Sequence, residues 1–182
     1  MPRRRIKFTM ISIAILAILL FSAEKPSALL FAALIHEASH VLLGLIFFAG
    51  LPRLCVSLCG LRLRWEGNGR PWEDILLSLA GPCANLIMWL LLPRDSILAS
   101  YSLSLAIFNL LPAEGLDGGE IIKNLSLMLF GERRAPVVCQ IFTAAAVGSL
   151  FFLSCAASLK GEFNLPLLFI TLFLIIRTYG RK

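Results

Sequence analysis

Apolar runs of roughly membrane-crossing length recur along this 182-residue chain, and no other feature restricts its fold so strongly. A spanning helix needs about 20 predominantly apolar residues. Runs of that order occupy residues 6–23, 27–50, 74–92, 96–111, 136–158 and 164–176. The fourth is short and leads into an irregular, glycine-rich stretch. Apolar residues make up 58% of the chain and charged ones 15%, against roughly half and a quarter in a soluble domain. That balance does not suit a water-soluble globule. The expectation is an all-α polytopic membrane protein of about six transmembrane helices. It forms a single domain over 1–182, with little length left for an appended soluble unit.

Orientation follows from the basic residues. With the N-terminus in the cytosol, 14 of the 17 Lys and Arg residues fall in inside segments, and only Lys25, Arg94 and Lys160 fall outside. The positive-inside rule therefore favours six spans with both termini cytosolic. It also accounts for the net charge of +6 without a nucleic-acid role. The first run follows Pro2-Arg3-Arg4-Arg5 and precedes Glu24-Lys25-Pro26. It is longer than a usual signal h-region and lacks a clear small-x-small site, so it reads as a signal anchor. Five cysteines, Cys55, Cys59, Cys83, Cys139 and Cys155, form no CxxC pair. They read as small apolar residues in or near lipid. Between the second and third runs, Arg53–Trp65 partly alternates polar and apolar residues, with Cys59-Gly60 as a turn. This period of two suggests a short β-hairpin at the membrane interface, set against a bland interfacial loop.

The second run contains His36-Glu37-Ala38-Ser39-His40. On a helix, residues four apart lie about 40° apart around the axis and about 6 Å along it, so both imidazoles can ligate one metal ion. Glu37 stands beside the first of them, where it can take a proton from a metal-bound water, as in the HExxH metalloproteases. The bland alternative is a short chance match, or histidines that only bond a neighbouring helix. These are, however, the only two histidines in the chain. Chance places two of them four apart with odds of roughly one in a hundred, and Glu at the second position cuts that about twentyfold. A glutamate near mid-span costs on the order of 2–3 kcal/mol and needs a partner.

A catalytic zinc takes three protein ligands and keeps one position open. No third histidine or cysteine set is available, so a carboxylate is expected: Glu114, Asp117 or Glu120, with Glu73 and Asp74 at the start of the third run. Pro112 and Gly115 should break the fourth helix near the first three. Irregular backbone at membrane depth is tolerated where it is buried in protein or lines a wet cavity. Spacing alone does not choose among the acids.

HExxH within a span, followed by Asn109-x-x-Pro112 and Asp117-Gly118, resembles the site-2 protease family of intramembrane zinc proteases. Ala80-Gly81-Pro82-Cys83-Ala84-Asn85 is similar to that family's Gly-Pro-x-x-Asn element. Three ordered motifs across residues 27–119 are far more specific than HExxH alone, and the compact build resembles the stage IV sporulation protease branch. The resemblance implies zinc as cofactor, with His36, His40 and Asp117 as ligands and Glu37 as general acid/base. It places Asn109 near the metal, positioning the substrate or its transition state, and gives Asn85 a part in substrate alignment or packing. An asparagine in a span is also often helix–helix glue. Glu114 and Glu120 would be solvated carboxylates at the rim.

The function so implied is cleavage of a membrane-embedded or membrane-tethered protein, within or near its transmembrane segment, in a bacterial cytoplasmic membrane. A pro-sigma or anti-sigma factor is the expected partner. No PDZ-like insert and no C-terminal regulatory domain are expected, so control would come from a membrane partner, the substrate or the bilayer. A metal transporter and an inactive scaffold relative are the alternatives.

Overall fold

The computed structural model describes residues 5–9, 23–47, 53–57, 60–66 and 70–159, with 167–168, 170–172 and 174–175 from the last apolar run. The elements in chain order are β1 (Arg5–Thr9), α1 (Pro26–Phe47), β2 (Arg53–Ser57), β3 (Gly60–Glu66), α2 (Pro71–Leu91), α3 (Ile97–Asn109) and α4 (Asp117–Leu159). Three of the helices, α1, α2 and α4, are long and apolar enough to cross a membrane, while α3 is a shorter apolar helix. Most of the first and last apolar runs lies outside the described residues, and so does Cys59 of the expected turn.

One boundary differs from the sequence reading. The first apolar run is expected to be spanning from Ile6 onward, but Arg5–Thr9 is a strand. Arg5-Ile6-Lys7-Phe8-Thr9 alternates polar and apolar residues, a period that fits a pleated strand rather than a helix buried all round. The strand pairs antiparallel with β3, Ile6 opposite Trp65 and Phe8 opposite Leu63. On the other side of β3 lies β2, with Leu54 opposite Leu63 and Val56 opposite Leu61. The order is therefore β1-β3-β2.

The helices pack with polar and small residues inside and large apolar ones outside. Along α1, Leu29, Ala32, Ala33, His36, His40 and Gly44 are buried, a stripe spaced three and four residues apart. Leu30, Phe31, Leu34, Leu42 and Ile46 of the same helix are exposed. Among the described residues the interior holds Ser78, Asn85, Ser102, Asn109, Asp117, Asn124 and Thr143, whereas Phe152, Leu91 and Leu129 face outward. Such an arrangement would aggregate in water and suits lipid, where helices associate through small and polar contacts.

α2 starts at Pro71, whose fixed φ suits a first helical position. Glu73 Oε2 accepts the Arg70 N–H at 2.7 Å, so this acid is used in capping. Pro82 stands inside the same helix. α3 has only 13 residues, about 20 Å of helix. It ends at Asn109, where the chain folds into a compact turn with Gly115 at φ 96. The 43 residues of α4 would be about 65 Å long if straight, twice the hydrocarbon thickness. Gly131, at φ 74 and ψ 174, divides it into two helical pieces.

Two glycines hold the turn against the start of α4. A Cβ on Gly118 would lie 2.2 Å from the Leu110 carbonyl oxygen, and one on Gly119 would lie 2.1 Å from that of Ala113. Gly148, in the second piece of α4, has nothing within 4 Å of such a Cβ. Gly118→Ala and Gly119→Ala are therefore expected to lower the melting temperature in detergent, each by several degrees. Gly148→Ala should leave it unchanged or raise it slightly, since Ala gains about 0.5–1 kcal/mol over Gly in a helix. Thermal unfolding of the three purified variants measures both outcomes.

Candidate metal centre

His36 and His40 project from the middle of α1, one turn apart, with ring centroids 4.9 Å apart and planes inclined at 76°. Their Nε2 atoms are 3.2 Å from each other. Asp117, the first residue of α4, brings Oδ2 to 3.0 Å from His36 Nε2 and 3.5 Å from His40 Nε2. All three residues are buried, at 1%, 0% and 4% exposure. Among the described residues they form a group able to hold a metal ion. Tetrahedral zinc with ligands at about 2.0–2.1 Å places its donor atoms about 3.3 Å apart. The three distances straddle that value, so the donors fit three corners and leave a fourth open.

The neighbouring helix leaves the room. α2 passes the histidines at Gly81, where a Cβ would sit 2.3 Å from His40 Nε2 and 2.5 Å from His36 Nε2. Any side chain there would fill the space between the donors. Gly81 stands mid-way along Pro71–Leu91, as the histidines do along Pro26–Phe47. The cluster therefore sits about 15 Å from either end of both helices.

Each imidazole has a second contact through its other nitrogen. His40 Nδ1–H donates to the Leu77 carbonyl at 2.7 Å. With the proton on Nδ1, the Nε2 lone pair is free for a metal. His36 Nδ1 lies 3.2 Å from the Asn85 amide nitrogen. Asn85 thus touches the cluster itself, a contact that spacing gave no means of finding. Glu37 is partly buried beside His36, with its Oε2 atom enclosed. Asn109 is buried at the end of α3 and donates to the Leu105 carbonyl at 2.9 Å.

The acids left open by spacing are distinguished by position. Glu114 is exposed, and Glu120 pairs with Lys123 at 2.6 Å. Both line a cavity of about 360 Å3 between the start of α4 and its second piece. Glu73 caps α2, and neither it nor Asp74 joins the donor group. Asp117 alone reaches the histidines.

Fold and site together define a membrane-helix protein built around a buried His-His-Asp cluster. Residues 96–153 match the family model of peptidase family M50, a stretch that includes Asn109, Pro112 and Asp117. The chain is 29% identical over 150 residues to "Putative zinc metalloprotease sll0528" of Synechocystis sp. (strain ATCC 27184 / PCC 6803 / Kazusa). That alignment covers 69% of this chain and 39% of the relative, so the chain spans about two fifths of the length of the protein it matches. In fold it is similar to the site-2 protease from Methanocaldococcus jannaschii. The TM-score is 0.59 at 15% identity, over 92% of this chain and 84% of that one. The comparisons thus return peptidase family M50 by sequence and a site-2 protease by fold, and none of them singles out the sporulation branch.

Closure of the space beside Gly81 is the direct test of the centre. Gly81→Ala is expected to lower zinc content from about one per chain to a tenth or less, while Gly148→Ala keeps the full complement. Elemental analysis of protein purified in detergent without chelator reads both.

Proposed function

We propose that this chain is an intramembrane zinc metalloprotease that cuts a membrane-embedded or membrane-tethered protein within or near its transmembrane segment. The observation that carries the reading is the triplet of donor atoms 3.0, 3.2 and 3.5 Å apart at the mid-depth of two spanning helices. His36, His40 and Asp117 hold the zinc, which when bound supplies an acidified water and a Lewis acid for the scissile carbonyl. Beside them Glu37 would act as general acid/base, taking a proton from the attacking water and giving one to the leaving amine. Asn109, at the broken end of α3, steadies the substrate carbonyl.

A substrate helix hides its carbonyls in intrahelical bonds, so it unwinds locally before it is cut. Among the described residues β1 and β2 are the edge strands of the sheet, and an extended segment can add to such an edge. The basic residues of these strand segments suit the head groups of a cytosolic leaflet. With the positive-inside orientation, both termini lie in the cytosol of a bacterial cell and the product leaves on that side. A pro-sigma factor, as in sporulation, or an anti-sigma factor is the substrate class that fits. A membrane partner supplies the regulation. Handling of a metal ion as cargo is the rival for the same donor set.

Two sets of variants test this reading. Glu37→Gln should keep about one zinc per chain while cleavage of a co-expressed tethered substrate falls at least 100-fold, the scale of a lost general acid/base. A transporter would instead change ion flux and yield no peptide product from either form. Asp117→Asn should lose most of its zinc and its activity together, whereas Glu114→Gln and Glu120→Gln stay within about threefold of the wild type. Damage from either glutamine variant equal to that from Asp117→Asn would show the third ligand to be misassigned.

A further inference from the structure

We infer that Asn85 is the residue that turns His36 into a metal ligand, by accepting the Nδ1 proton on its amide oxygen. The inference rests on the metalloprotease reading of the same centre and adds a positioning residue to it. Asn85 is fully buried on α2, one turn beyond Gly81, and its amide lies against His36 Nδ1 at 3.2 Å. Its Oδ1 is enclosed and has no hydrogen-bond partner. A buried amide oxygen without a donor costs roughly 1–3 kcal/mol, so such an atom calls for an explanation. The ring in contact with this amide is that of His36.

The two histidines pose the same chemical problem. A neutral imidazole carries one proton, and the nitrogen facing the metal must be the bare one. For His40 the answer is on α2, where the Leu77 carbonyl takes the Nδ1 proton at 2.7 Å. For His36 the corresponding place on α2 holds an amide whose nitrogen faces Nδ1. With that nitrogen donating, Nδ1 is the bare atom, and the proton sits on Nε2, which points at Asp117 and His40. That pairing closes the site to a cation. A half-turn of the amide about Cβ–Cγ exchanges its oxygen and nitrogen with almost no change of shape. The oxygen then accepts Nδ1–H, and the Nε2 lone pair faces the donor cluster. One helix would thus set the tautomer of both ligands, through a main-chain carbonyl and a side-chain one.

The rival role, an amide that only ties α2 to α1 through its N–H, makes an opposite prediction for aspartate. An aspartate at this position supplies the acceptor and lacks the donor; a leucine supplies neither at similar volume. Zinc affinity is measured on the purified full chain in detergent, by competition with a chelator of known affinity. The wild type should bind about one zinc. Asn85→Leu should bind it 10–100-fold more weakly, the usual loss when an outer partner of a metal-bound histidine is removed. Asn85→Asp should bind within threefold of the wild type or more tightly. Leucine and wild type of equal affinity would overturn the inference, and so would an aspartate variant as weak as leucine. If Asn85→Leu does not fold, Asn85→Asp against the wild type suffices. Failure of Asn85→Asp to fold or to hold zinc would mean that the site needs the amide N–H, and the inference falls. A wild type that takes up no zinc would instead remove the metalloprotease reading beneath it.

Discussion

The close crossing of α1 and α2 is the constraint on which the rest of the molecule depends. Two imidazoles and a carboxylate are buried in a protein whose outer surface is made of Leu, Ile and Phe. Polar side chains in lipid must find partners or a ligand. Here α2 provides them, with the Leu77 carbonyl and the Asn85 amide on either side of Gly81. Approach at that distance is open only to a residue without a Cβ. The same crossing therefore removes bulk from the centre and delivers its outer hydrogen-bond partners. Leu77, Gly81 and Asn85 follow one another at four-residue intervals, on one face of the helix.

The third donor depends on a different device. Asp117 reaches the histidines because α3 stops after 13 residues and the chain doubles back before α4 begins. Gly118 and Gly119 let the first turn of α4 rest directly on the carbonyls of Leu110 and Ala113. A carboxylate at a helix N-terminus also meets the positive end of the backbone dipole, which favours its negative charge. The broken segment is packed beneath Ala146 and Val147 of the second piece of α4, and beneath Ile170 and Leu174 of the last run. Its irregular backbone is thus covered by protein rather than lipid, as the bilayer requires.

Much of this was legible in the chain because it rests on local spacing. A pair of histidines four apart, with Glu37 between them, reports its own geometry once the segment is known to be helical. The break at Pro112 and Gly115 was also readable, since both act on their own backbone. What could not be read was long-range. Spacing left Asp117, Glu114 and Glu120 open and only the motif resemblance pointed to Asp117; the fold exposes Glu114, pairs Glu120 with Lys123 and sets Asp117 against the histidines. Glu73 looked like a fifth acid until its capping bond was seen. Asn85 gave no sign of touching His36, because 49 residues separate them. The strand at Arg5–Thr9 was hidden for another reason: a hydropathy window averages its alternation into the apolar run that follows.

The division of α4 at Gly131 bears on parity. A rod of 43 residues would overshoot the bilayer on one side. Broken there, it is instead a first piece of about 20 Å, from Asp117 to the residue before Gly131, followed by a second. Asp117, the carboxylate of the candidate metal centre, stands where the turn after α3 meets that first piece. The second piece then turns back, setting Ala146 and Val147 over Ala113 and Leu116 where the first one starts. Counting α4 by its two ends alone would record one helix where the backbone makes two.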